Sequence, residues 1–350
     1  MKLFLGVAAF ALVAGTALAQ QTPAPQAPAA PAPAAGAPGA QADLPPEQRP
    51  FVAGQPIGVT VQGNYTAMSD NVRVFGSLVS VESCSYDEAR GLIVAPSRGV
   101  GQRITTNDAY VSLINHDGSV DTLKWIGVNR NGFILNEPFG SDIANGVLYL
   151  ADRDGGTSQD DPAVSVVRMF SMETGEPMGE IRVEDSTGFN DIEVADDGTI
   201  YATQTGTGGQ NPDPTTWRVY KITPDGEASV IIQGEPLRQP NGIAFDNDGN
   251  LVVVQIGNDE VQTYSTEGEL ITTAHAAAPG SDGIVVLADG TMIVSSVTQG
   301  VISRIPAGGG TAEVLAQGVP SAASICFDSD ANQIVVPMNA GNALAFIPLD

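Results

Sequence analysis

"NDIEVADDG" (Asn190–Gly198), "NGIAFDNDG" (Asn241–Gly249) and "DGIVVLADG" (Asp282–Gly290) are one phrase written three times. Each opens on an amide or a carboxylate, runs through an apolar middle and closes on an Asp/Asn-rich turn ending in glycine. A second apolar run follows each turn ("IYAT", "LVVV", "MIVS"), so each phrase reads as a β-hairpin. Three looser copies exist: "ESCSYDEARGLIVAP" from Glu82, "PFGSDIANGVLYLAD" from Pro138 and "SAASICFDSDANQIVVP" from Ser321. The six turn residues, Gly91, Gly146, Gly198, Gly249, Gly290 and Asn332, are 55, 52, 51, 41 and 42 residues apart. Such periods hold about four strands each.

Further β-rich segments follow the hairpins, such as "AYVSLINHDGSVDTLKWI" and "WRVYKITPDGEASVII", and no long helical periodicity competes with them. Strands that are apolar on both faces need a neighbour on both sides. Radial stacking into a closed ring supplies this and protects most strand edges. The expected fold is all-β, a six-bladed β-propeller of four-stranded antiparallel blades. Either the N-terminal "IGVTVQGNYTA" or the C-terminal "ALAFIPL" would complete the last sheet. Cys84 and Cys326 lie in the first and last repeats, which a closed ring makes neighbours; a disulfide and two buried thiols are both compatible with this.

Ahead of the repeats, residues 1–19 carry Lys2, an apolar run from Leu3 to Val13 and an Ala17-Leu18-Ala19 cleavage pattern, the parts of a secretory signal peptide. Residues 20–50 are nearly all Pro, Ala, Gln and Gly and read as a disordered linker. The propeller domain is expected over 51–350, in an exported protein, periplasmic or secreted. No segment of the mature chain is long and apolar enough for an integral membrane helix. Forty acidic against fifteen basic residues give a net charge of -25, which excludes nucleic acid as a natural partner. A monomer is expected.

In a propeller the first strand of every blade lines the central channel, so residues opening equivalent strands converge at one mouth. Glu82, Asn190, Asn241 and Asp282 are such residues; five positions separate Glu82 from Asp87, as five separate Asn241 from Asp246. Carboxylates and carboxamides crowded together repel or stay poorly solvated unless a cation joins them. Oxygen donors without clustered cysteine or histidine favour Ca²⁺ or Mg²⁺ over a dedicated Zn²⁺ site. The bland reading is that Asn, Asp and Gly at these places merely cap strands and build turns.

"VESCSYD", "FNDIEVADDGTIYAT", "QPNGIAFDNDGNLVV" and "GSDGIVVLADGTMIVSS" resemble the SMP-30/gluconolactonase family of six-bladed propellers, over nearly all of residues 75–348. The resemblance implies one divalent metal ion, Ca²⁺ first with Mg²⁺, Mn²⁺ or Zn²⁺ as alternatives, held by Glu82, Asn241 and Asp282. It also implies that Asn190 contacts substrate, that Asp282 is the catalytic base, and that the reaction is hydrolysis of a small-molecule lactone or ester. One departure stands out: some sugar-lactonase members have an arginine two residues before the asparagine matching Asn190, and here that position is Gly188.

The longer blades carry their extra residues where connections return to the same mouth: "SRGVGQRITTND" from Ser97, "RDGGTSQDDPA" from Arg153 and "QTGTGGQNPDPTT" from Gln204. Arg98, Arg103 or Arg153 from these walls would replace the missing arginine, Arg153 being taken as substrate-binding. His275, seven residues before Asp282, leads towards the mouth and is a third substrate-handling candidate; a solvated surface histidine is the ordinary alternative. Two histidines and no strand-turn-helix serine leave little scope for a Ser-His-Asp triad. The expected function is a divalent-metal-dependent lactonase or esterase. The competing one is a non-catalytic binding platform with a structural ion in its channel.

Overall fold

The computed structural model describes residues 56–349, apart from 77, 101–106, 129–132, 157, 159 and 208–210. The segments expected as signal peptide and linker, and Arg103, lie outside the described residues. Six four-stranded antiparallel sheets follow one another along the chain. Their inner strands are Ser85–Asp87, Ser141–Ala144, Ile192–Val194, Pro240–Phe245, Ser281–Val286 and Cys326–Asp328, opening blades 1 to 6. This is the expected β-propeller.

The six turn residues of the repeat explain the hairpins. Gly91, Gly146, Gly198, Gly249 and Gly290 have φ of 64°, 75°, 86°, 80° and 86°, and Asn332, the one exception to glycine, has φ 47°. All six are in the left-handed region, which glycine enters freely and asparagine tolerates best among the rest. Preceding aspartates cap the turn: Asp197, Asp246 and Asp289 accept from the backbone N–H of Thr199, Asn250 and Thr291 at 2.8–2.9 Å.

Each seam between blades holds its own apolar cluster. Along the second strand of blade 4, Leu251 and Val253 face blade 3 against Tyr201 and Val219, while Val252 and Val254 face blade 5 against Ile284 and Val294. Strand periodicity of two thus sends alternate residues to opposite seams, which is why these strands are apolar throughout. Blades 1 and 6 meet in the same way, through Ile93 and Ala95 against Val335 and Phe346. The ring is closed, and each fully buried aliphatic side chain contributes about 1.5–3 kcal/mol to it.

Closure is reinforced twice. Cys84 and Cys326 form a disulfide, Cα–Cα 5.5 Å, between chain segments 242 residues apart. Blade 6 is completed by Arg73–Phe75, paired with Ala343–Pro348, so the N-terminal side of the chain supplies the outer strand. Neither sequence candidate does so: "ALAFIPL" is the third strand of that sheet, and "IGVTVQGNYTA" folds into a separate hairpin, Gly58–Val61 with Asn64–Ala67. Three residues are too few to display a strand pattern, whereas Phe75 earns its place by edge-on contact with Phe346, ring centroids 5.4 Å apart. Among the described residues no helix is long and apolar enough to cross a membrane.

Candidate active site

The residues that open the inner strands meet at one end of the channel. Phe139, Asn190 and Ala323 occupy equivalent places, each donating its backbone N–H to the second strand of its own blade, at Ala151, Thr203 and Pro337, at 2.8–2.9 Å. Asn241 and Asp282 hold the same level in blades 4 and 5, and the glycine after each explains the recurring "NG" and "DG". A Cβ on Gly242 would meet the backbone of Asp282 and Gly283; one on Gly283 would meet the backbone of Ser324 and Ile325. In blades 4 and 5 the inner strands converge so closely that the position after the mouth residue has no room for a side chain, whereas Ser83, Asp191 and Ser324 hold that position in blades 1, 3 and 6.

Glu82, Asn241 and Asp282 are all buried, 7%, 1% and 4% exposed. Asn241 Nδ2 lies 3.4 Å from Asp282 Oδ2, while Asn241 Oδ1 and Asp282 Oδ1 are buried with no hydrogen-bond partner. Glu82 comes from blade 1, its backbone carbonyl accepting from Ser324 N–H at 3.1 Å across the blade 1–6 seam, and its charge acts on Asp282. Burial raises the carboxyl of Glu82, and burial together with the negative charges of Glu82 and Asp191 raises that of Asp282 well above the usual carboxylate range. Two orphaned oxygens next to a buried carboxyl are what a bound cation would satisfy. The donor set therefore fits a hard divalent ion. Among the described residues there is no group of three or more His, Cys, Asp or Glu suited to a metal, and a cation here would need the carboxamide of Asn241 as its third oxygen donor.

Asn190 is half-buried at the same mouth; its backbone carbonyl accepts from Gly140 N–H at 2.7 Å, and among the described residues no partner holds its side chain. Arg153 reaches the mouth from the second strand of blade 2 and bonds Glu137. His275 ends the outermost strand of blade 4, exposed, 3.4 Å from Asp259; the structure does not bring it together with Asp282.

Several residues of the mouth were not foreseen. Glu137, fully buried, is gripped by Arg98 and Arg153, and its backbone N–H donates to Asp152 at 2.6 Å. Arg98 also donates to Glu82 Oε2 at 3.1 Å and lies 4.1 Å over the ring of Phe139, the residue that blade 2 places at the ligand level. Asn339, from the last loop of blade 6, donates to the same Glu82 oxygen. Asp191, one residue beyond Asn190, accepts from Ile243 N–H and Ser324 Oγ, and burial pushes its carboxyl up to about 7. Its outsized partner space comes from Gly140, where a Cβ would strike the Asp191 side chain. Beyond this layer a cavity of about 620 Å³ follows the inner strands, lined by Asp142, Asp191, Glu193 and Ser324; Glu82, Asn241 and Asp282 are not in its lining.

Residues 129–337 match the family described as SMP-30/Gluconolactonase/LRE-like region. The chain belongs to this family. Asn190, Asn241 and Asp282 fall within the matched span and Glu82 precedes it. A gluconolactonase from Xanthomonas campestris, described as important in glucose secondary metabolic pathways, superposes with a TM-score of 0.54 at 20% identity, over 80% of this chain and 90% of that one. A catalytically inactive virginiamycin B lyase from Staphylococcus aureus, solved with quinupristin, gives 0.54 at 14% identity, over 80% and 100%. A streptogramin B lyase gives 0.53 at 14%, over 80% and 97%. These likenesses establish the shared scaffold. No curated protein matches the sequence.

Proposed function

We propose that this family member is an exported hydrolase of a small lactone or ester, dependent on a divalent cation held by Glu82, Asn241 and Asp282. The observation that carries the reading is the pair of buried, partnerless oxygens, Asn241 Oδ1 and Asp282 Oδ1, beside the buried carboxyl of Glu82. Family membership supports lactone chemistry, and the oxygen-only donor set supports Ca²⁺ or Mg²⁺. When bound, such an ion supplies Lewis-acid polarisation of a carbonyl.

The chain's own groups do the rest. Asp282 takes the proton of the attacking water through its carboxylate. Asn190, whose side chain is uncommitted, orients the substrate carbonyl or ring oxygen. Arg153, one nitrogen on Glu137 and its side chain 23% exposed, contacts the acyl or hydroxyl part of the substrate in place of the arginine missing at Gly188. Phe139 gives that side of the mouth an apolar wall that limits water. Because the substrate is small and the blade seams are complete within the chain, a monomer suffices.

The test is to strip the protein of metal and screen lactones and aryl esters with Ca²⁺, Mg²⁺, Mn²⁺ and Zn²⁺ restored singly. Ion-dependent hydrolysis of at least one compound is expected. Silence with every ion would favour a binding platform instead.

A further inference from the structure

Arg98 is in an unusual position for a cation beside a proposed cation site. It emerges directly after the second strand of blade 1, Leu92–Ser97, and its backbone N–H is fixed on Ser80 O at 3.1 Å. Its guanidinium joins two buried carboxylates, Glu82 through Nη1 and Glu137 through Nη2, with its side chain only 12% exposed and Phe139 closing one face. Behind Glu137 the chain of charges continues. Asp152 accepts from the backbone N–H of Glu137 and, at 2.6 Å, from Nε of Arg168, which is itself 4% exposed. Arg98 cannot drift: its partners are anchored through blade 2.

The consequence falls on one oxygen. Both Arg98 and Asn339 donate to Oε2 of Glu82, and Asn339 is steadied by Ser80 Oγ at 3.0 Å. Oε1 is the Glu82 oxygen to which no donor is assigned. We propose that Arg98 is a positioning residue that makes Glu82 a one-oxygen donor and thereby biases the mouth away from Ca²⁺ and towards smaller divalent ions. Ca²⁺ takes six to eight oxygens and profits from a carboxylate that can offer both, whereas Mg²⁺ takes six and keeps several waters. A guanidinium on the second oxygen denies the bidentate mode, adds like charge beside the ion and draws electron density from the ligand. The outer partner of a carboxylate ligand is a donor, and a cationic donor draws the most charge away from the ligand. The inference rests on the cation site proposed above and concerns which ion that site prefers.

The test is calorimetric titration of the metal-free protein with Ca²⁺ and with Mg²⁺, which needs no substrate. Arg98→Met is expected to raise Ca²⁺ affinity relative to Mg²⁺ by about tenfold or more. Arg98→Lys, which keeps the charge and one donor, should stay close to the parent. Affinities for both ions falling together in Arg98→Met, or a ratio within about twofold of the parent, would overturn the proposal, because a merely structural arginine would act on both ions alike. If Arg98→Met does not fold, the pair Arg98→Met/Glu137→Gln carries the test: it removes the guanidinium together with the buried charge it neutralises and should shift the ratio the same way, an unchanged ratio counting against the proposal. A parent protein that binds neither ion would overturn the cation site itself and this inference with it.

Discussion

Asn241 Nδ2 lies 3.4 Å from Asp282 Oδ2, so two residues 41 positions apart, each opening the inner strand of its own blade, form one polar pair. Ring geometry, not local sequence, makes that contact. Glu82 reaches the same mouth from the opposite end of the chain, across a seam closed by a disulfide.

Replacing Asp282 by asparagine keeps its shape and removes the proton acceptor. Hydrolysis should fall about 100-fold or more, the usual worth of a general base. Thermal stability should not fall with it, because the buried carboxyl is already held far above its usual titration range at some cost to folding. Initial rates and melting curves of the two proteins decide this, and undiminished turnover in the variant would remove Asp282 from the mechanism.

Asp191 predicts a pH dependence of stability in the metal-free protein. Burial moves its carboxyl from an ordinary 3.8 to about 7, so between those values the folded state keeps a proton that the unfolded chain has released. Stability is therefore lost as pH rises through this window, by at most about 4 kcal/mol from this group. Asp142, pushed up to about 6 by burial, acts in the same direction. Asp191→Asn should flatten the profile, gaining more in melting temperature at pH 8 than at pH 5. Equal shifts at both would contradict the assignment.

The Cys84–Cys326 bond closes a loop of 242 residues. On the chain-entropy account a closure of that length is worth roughly 5 kcal/mol. Paired Cys→Ser variants, or the parent in reductant, should melt about 10 °C lower or more. They should still fold, since Arg73–Phe75 remains to zip blade 6. A melting point insensitive to reduction would show that the strand alone holds the ring.

Gly242→Ala places a methyl group against the backbone of Asp282 and Gly283. Overpacking there should cost about 1–3 kcal/mol and displace the mouth residues of blades 4 and 5. Gly249→Ala, at a turn with φ 80° on the far side of the hairpin, is the comparison: it should cost stability while leaving cation affinity intact. Titration calorimetry and thermal melting separate the two effects.

The fold was legible because its signals repeat. Six turns demanding a left-handed residue, each between doubly apolar strands, leave little but a ring of hairpins, and Asn332 could be recognised without glycine because asparagine shares the same backbone freedom. Asn190, Asn241 and Asp282 followed from the frame, and Glu82 from its five-residue spacing to Asp87. Arg98 and Arg153 were visible as basic residues in the walls. Glu137 and Asn339 were not, since their residue types do not recur at the corresponding positions of the other blades, and each meets Glu82 or its arginine only after closure. The closing strand Arg73–Phe75 was too short to register, and the position of His275 seven residues before Asp282 carried no information about its radial distance from the channel.

The most direct measurement is a crystal structure of the protein grown with a divalent ion and compared with one grown in chelator. The account predicts one ion at the channel mouth, in direct contact with oxygens of Glu82, Asn241 and Asp282 at about 2.0–2.6 Å. An ion elsewhere, or a mouth that stays ion-free in saturating Ca²⁺ and Mg²⁺, would contradict it.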